Sequence, residues 1–195
     1  MSDSALNIVV IDENPIRAAI LEDGLREAGH RRITMLQDMR NLLRQLSDID
    51  PDVILIDLEN PSRDVLEQMF QVSRIVHRPV AMFVDQSDSA QIQAAVDAGV
   101  SAYIVDGLRK ERIKPILDMT ISRFRAFSNM QRELDRAQSA LKDRKIIDRA
   151  KGLLMRQRGI GEDEAYRLLR SAAMRESRKI AEIAQSVVTA AQFFD

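Results

Sequence analysis

Two of the chain's apolar runs end in carboxylates. "NIVVI" at 7–11 is followed by Asp12 and Glu13, and "PDVILIDLEN" carries Asp57 near its end. If these runs are neighbouring strands, three carboxylates converge at one edge of a sheet. Oxygen ligands of this kind, completed by water, suit Mg²⁺. A cation there would also neutralise a phosphoryl group transferred to Asp57. Asp12, Glu13 and Asp57 are therefore the candidate metal ligands, and Asp57 the candidate phosphoacceptor. A second group of chemically useful residues is cationic and lies late in the chain. Arg144, Lys151 and Arg158 share one stripe of a helical wheel beside the apolar face; Lys145, Arg149 and Arg156 form another, with Gly152 between. Rows of cations suit a phosphate backbone. Glycine at 152 costs about 1 kcal/mol of helix propensity relative to alanine, and it permits close approach of another helix or of a nucleic-acid backbone. Tyr166 and Arg170 stand one turn apart on the next helical stretch, where an aromatic beside an arginine can stack an unpaired base. A solvated charged face and a half-buried packing tyrosine are the plainer readings of these residues.

The elements that must position the carboxylates alternate in type. "NIVVI", "RRITML", "PDVILIDLEN", "RPVAMFVD" and "SAYIVD" read as strands, and helical periodicity follows each of them. The third run is apolar throughout, as expected of a parallel strand buried on both faces. Five strands alternating with five helices predict a doubly wound α/β domain over residues 1–120, with its site at the C-terminal strand ends. After Lys114 the strand pattern does not return. Phe127, Met130, Leu134, Ala137 and Leu141 step by 3, 4, 3 and 4, a heptad seam. Ile113, Leu117, Thr120, Phe124 and Phe127 step by 4, 3, 4 and 3, so the phase slips at Phe127. One long helix is predicted, with a coiled-coil linker over 121–142 that pairs two copies. A fold-back of this helix onto the α/β domain is the alternative. Residues 143–195 read as three short amphipathic helices: the end of the long one, Glu162 to about Glu176, and about Arg178 to Gln192, with "RGIG" breaking the first from the second.

The totals narrow the function. The 195 residues include no cysteine, so disulfides and thiolate metal sites are excluded, which suits a reducing cytoplasm. No run approaches a membrane span, and "MSDSALN" has no signal-peptide pattern. Up to Ser122 there are 13 basic and 20 acidic residues; from Arg123 onward there are 16 and 10. An acidic half joined to a basic half suggests two tasks, the second on a polyanion. His30 and His77 are isolated and no Gly-rich phosphate loop is present, so an enzyme is not expected.

Residues 7–120 resemble the CheY-like receiver domain of bacterial response regulators, through "VVIDENP", "PDVILIDLENP" and "AVDAGVSAYIVDGL". Two departures stand out. Receivers usually carry Thr or Ser at the end of the fourth strand, where Val84 stands, and Lys after the fifth, where Asp106-Gly107 stands. The hydroxyl and the ammonium that would hold a phosphoryl group are both missing, so phosphorylation of Asp57 is expected to be weak or not the physiological switch. Residues from about Leu141 to Val188 resemble the ANTAR domain, through "AKGLLM", "GIGEDEAYRLLRSAAM" and "KIAEIAQSVV". The whole is similar to NasT-type regulators of nitrate assimilation. That resemblance implies a homodimer that binds two short hairpins in a leader RNA and prevents termination. It also implies a ligand-sensing partner protein that holds the regulator inactive. Two other readings stand beside it: a phosphorylation-driven DNA-binding response regulator, and a dimer that only docks proteins.

Overall fold

The computed structural model describes residues 6–59, 61–105 and 109–191. Two compact units are present, Met1–Ser128 and Asn129–Asp195. In the first, strands β1 (Asn7–Ile11), β2 (Arg32–Leu36), β3 (Val53–Leu58), β4 (Val80–Val84) and β5 (Ala102–Val105) form one parallel sheet in the order β2-β1-β3-β4-β5. The predicted doubly wound architecture is what forms. β1 lies directly beside β3, with Ile11 opposite Ile56, so the chain ends after both strands open at the same edge.

Helices cover both faces, and this is why β3 and β4 are buried along their whole length and apolar at every position but Asp57. On one side α2 (Leu42–Ile49), α3 (Arg63–Val76) and α4 (Ser89–Asp97) pack Leu46, Met69, Phe70 and Ala95 against Ile54, Ile56 and Met82. Ser62 caps α3, and Asp88 with Gln91 forms a reciprocal capping box on α4. On the other side α1 (Pro15–Glu27) and the start of α5 (Lys110–Arg158) enclose Ile8, Val10, Leu55 and Phe83. Asn14 starts α1 by accepting the Ile16 amide at 3.0 Å, with Pro15 in the first helical position. The buried face of α1 is Ala18, Leu21, Gly24 and Leu25, while Ile16 and Ile20 face solvent. Gly24 sits at a tight contact. A Cβ there would stand 2.3 Å from Ile113 Cδ1 of α5, and Lys110 beside it pairs with Asp23 and Glu27 at 2.7 Å.

The helix α5 begins at Lys110 and carries Pro115 in its second turn. Ile113, Leu117 and Ile121 are buried with α1 and the sheet, as is Thr120, whose hydroxyl donates to the Ile116 carbonyl. The 4, 3, 4, 3 series upstream of Phe127 is therefore a core face of the first unit, not part of a coiled-coil seam. Between Phe127 and Leu141 the apolar residues are exposed: Phe127 by 65%, Met130 by 67%, Leu134 by 51% and Leu141 by 55%. The phase slip marks the change of surroundings.

In the second unit the end of α5 packs with α6 (Glu162–Glu176) and α7 (Ile180–Ala191). Ala150, Leu169, Ala173, Ile183, Ala184 and Val188 form its core, with Ile146, Ile147 and Leu154 at the margin. Gly159 ends α5 with φ +64°, a conformation costly for residues with a Cβ. Glu162, Asp163 and Glu164 in the first turn of α6 complement its dipole. The third helix starts at Ile180, not at Arg178, and Gln192 lies outside the described residues.

Candidate functional site

The β1–β3 adjacency brings Asp12 and Asp57 together at the C-terminal edge of the sheet, both at least 97% buried. Asp12 Oδ1 accepts the Asn14 amide at 2.8 Å, and its Oδ2 is buried without a hydrogen-bond partner. Burial, with the neighbouring Asp57 charge adding to it, pushes the Asp12 carboxyl up to about 6, against the opposing Asn14 amide and Arg17 charge. Both Asp57 oxygens accept hydrogen bonds. Arg17, from the first turn of α1, donates Nε to Oδ2 and Nη2 to Oδ1, both at 2.7 Å. The same guanidinium donates Nη1 to both oxygens of Asp85, at 3.0 and 3.2 Å, and Nη2 to Oδ1 at 3.1 Å. Side chains in a helix lean toward its N-terminus, so a long residue in the first turn of α1 reaches back over the strand ends. The hydrogen bond to Asp57 raises the Arg17 pKa further, so the guanidinium stays charged.

This geometry corrects the expected three-carboxylate cradle. Glu13 is exposed, one residue past the buried Asp12. Among the described residues no group of three or more His, Cys, Asp or Glu is arranged to hold a metal. Receivers hold Mg²⁺ in this pocket, yet the donor set here does not fit one. Both Asp57 oxygens point at Arg17, and the unengaged Asp12 Oδ2 is a single donor. Val84 ends β4 fully buried, with no hydroxyl to offer an anion. Asp106, the other departure seen in the sequence, lies outside the described residues. Arg17 and Asp85 were not singled out from the sequence. The available signals were a lone cation five residues after Asp12 and a carboxylate closing "RPVAMFVD".

In the second unit Arg144, Lys145, Arg149, Arg156, Arg158 and Arg170 are exposed. Among the described residues none of these six takes part in an ion pair within 4.0 Å. Lys151 differs. Its side chain is only 15% exposed and Nζ bridges Asp148 of α5 at 2.7 Å and Glu162 of α6 at 2.6 Å. These two hydrogen bonds raise its pKa, and the same contact lowers that of Asp148. Lys151 is thus an internal brace across the "RGIG" turn, not a free cation. Among the described residues a Cβ at Gly152 would meet only Arg156 Nη1, at 3.9 Å, so no contact among them requires glycine there. Tyr166 is half-exposed on α6. Arg170 lines a shallow cleft of about 620 Å³ together with Asp143, Ile147, Ala173, Lys179 and Ile180. Lys179 was not among the cations singled out from the sequence.

Known proteins agree with both units. Residues 8–118 match the model of the response regulator receiver domain, and residues 135–188 match that of the ANTAR domain. The chain belongs to the response regulators, with a receiver domain followed by an ANTAR domain. It is similar to the transcriptional regulatory protein PdtaR of Mycobacterium tuberculosis, 26% identical over 93% of this chain and 88% of that one. It is also similar to the nitrate regulatory protein of Klebsiella oxytoca, 30% identical over 39% of this chain and 19% of that one. Among solved structures, the signal receiver domain of a modulated diguanylate cyclase from Desulfovibrio desulfuricans G20 shares the fold. Its TM-score is 0.52 at 17% identity, over 61% of this chain and 95% of that one. Both matched families are regulatory. Among the described residues no helix is long and apolar enough to cross a membrane.

Proposed function

We propose that this response regulator is a cytoplasmic transcription antiterminator whose ANTAR unit binds hairpins in a leader RNA. The observation that carries the reading is the ANTAR match over a three-helix unit whose surface bears a row of exposed cations, the six above among them, that form no ion pair among the described residues. Backbone phosphates would meet Arg144, Lys145, Arg149, Arg156 and Arg158, and a loop base would meet Tyr166 and Arg170. Unpaired bases in a loop present stacking faces and edges that an A-form duplex hides. A DNA-groove reading is disfavoured because α7, Ile180–Ala191, contains no Lys or Arg. Two copies would pair through the exposed Phe127, Met130, Leu134 and Leu141 stripe, so that one dimer engages two hairpins and gains avidity. The similarity to a nitrate regulatory protein supports a nitrogen-assimilation operon as the target. A ligand-sensing partner protein that restrains the regulator is the input this reading favours over phosphorylation.

Binding of the full-length protein to a two-hairpin leader RNA and to a DNA duplex of equivalent sequence, across salt, tests this. RNA binding tighter than duplex binding, with a steep negative salt slope, is expected. Arg170→Ala and Tyr166→Ala should each weaken RNA binding by about 1–3 kcal/mol, the range for a lost stacking platform. Equal or tighter binding to the DNA duplex would overturn the reading.

A further inference from the structure

We propose that Arg17 is a built-in counter-ion that takes the place of the divalent cation in the receiver pocket and shuts that cation out. The pocket collects three carboxylates, of Asp12, Asp57 and Asp85, from the ends of three adjacent strands. Such a collection needs positive charge, because a buried carboxylate without a partner is strongly disfavoured. The chain supplies that charge from its own helix. Two parallel N–H···O bonds of 2.7 Å engage both oxygens of Asp57, whose side chain is fully buried, and the far edge of the same guanidinium takes Asp85. Bidentate arginine–carboxylate pairs are the strong, geometrically specific class of ion pair, and lysine cannot replace both edges of the fork.

A divalent cation at Asp57 would meet oxygens already bonded to Arg17 and the repulsion of its guanidinium charge. Admitting it would require the Arg17 side chain, only 17% exposed, to break its bonds to two carboxylates at once. Mg²⁺ demands near-ideal octahedral geometry and dehydrates reluctantly, so one free oxygen on Asp12 is not enough to recruit it. Phosphoryl transfer to Asp57 that depends on such a cation would be disabled with it. The inference differs in origin from the argument built on Val84 and Asp106, which concerns groups that would hold a phosphoryl oxygen. Here the metal itself is displaced, by a residue on another element, and the proposal does not depend on what the ANTAR unit binds.

The test measures Mn²⁺ and Mg²⁺ binding to the full-length protein by calorimetry, together with thermal unfolding with and without each metal at millimolar concentration. The wild-type protein should show no saturable binding and no shift in Tm. Arg17→Ala should melt lower in the absence of metal, regain Tm when metal is added, and bind Mn²⁺ at least about tenfold more tightly than wild type, a difference of 1.4 kcal/mol. Arg17→Gln, which keeps a neutral donor near Asp57, serves the same purpose if the alanine variant fails to fold. Arg17→Lys should lie between it and wild type. Saturable millimolar Mg²⁺ binding by the wild-type protein, or no gain of affinity or metal-dependent Tm in either neutral variant, would overturn the proposal.

Discussion

Asp12 and Arg17 show how one guanidinium divides its effect between unequal carboxylates. Asp57 and Asp85 receive its hydrogen bonds; Asp12 receives only its charge and keeps a buried oxygen unpaired. Burial raises its carboxyl to about 6 from 3.8, with the Arg17 charge opposing the rise. A carboxyl raised on folding holds more protons in the native state than in the unfolded chain. Native stability is therefore highest below about pH 4 as far as Asp12 is concerned, and that contribution is lost as the pH rises through about 6. Asp12→Asn should raise stability at pH 7.5, by an amount on the order of 1–3 kcal/mol, and change it little at pH 4. Thermal unfolding at the two values checks this, and equal shifts at both would contradict it. Lys151 makes the complementary point in the second unit. Because it braces α5 to α6, Lys151→Ala should lower the melting temperature of that unit while the folded fraction binds RNA within about twofold of wild type. A large loss of affinity without loss of stability would instead make Lys151 an RNA contact.

Among the elements, α1 and α5 approach so closely that a side chain at position 24 must displace Ile113. Gly24→Ala gains up to about 1 kcal/mol of helix propensity but forces its Cβ to 2.3 Å from Ile113 Cδ1. Overpacking of this kind costs about 1–3 kcal/mol, so a net destabilisation is expected. Ile113→Val removes the clashing carbon and alone costs about 0.5–1.5 kcal/mol. In that background Gly24→Ala should become neutral or stabilising, and denaturant titration of the four proteins reads the coupling directly. The same pair of helices shows where periodicity misleads. Ile113, Leu117, Thr120, Phe124 and Phe127 step like a coiled-coil seam, yet the first three are buried against the sheet and α1. A 3–4 spacing states that one helix face is covered, not by what.

For the assembled protein the exposed stripe on α5 carries the prediction about copies. A heptad face of Phe127, Met130, Leu134 and Leu141 left in water is an expected pairing surface. Leu134→Lys, at the middle of the stripe, should shift the protein from dimer to monomer in sedimentation equilibrium with its fold intact by circular dichroism. The monomer should retain single-hairpin binding and lose the avidity of two linked sites. A variant that remains dimeric would place the pairing surface elsewhere.

The number of strands, the neighbouring strand ends carrying Asp12 and Asp57, the extent of α6 and the two family resemblances were legible in the residues themselves. Each rests on local pattern: apolar runs bounded by turns, helical periodicity, or motifs continuous along the chain. Which cations are free and what fills the acidic pocket were not legible. Arg17 meets Asp57 across 40 residues and Asp85 across 68, and Lys151 meets Glu162 across a turn. Sequence spacing lists charges without saying which of them neutralise one another. That pairing follows from the β1–β3–β4 order and from the reach of a side chain in the first turn of α1, so only the tertiary structure decided that this pocket already holds its cation.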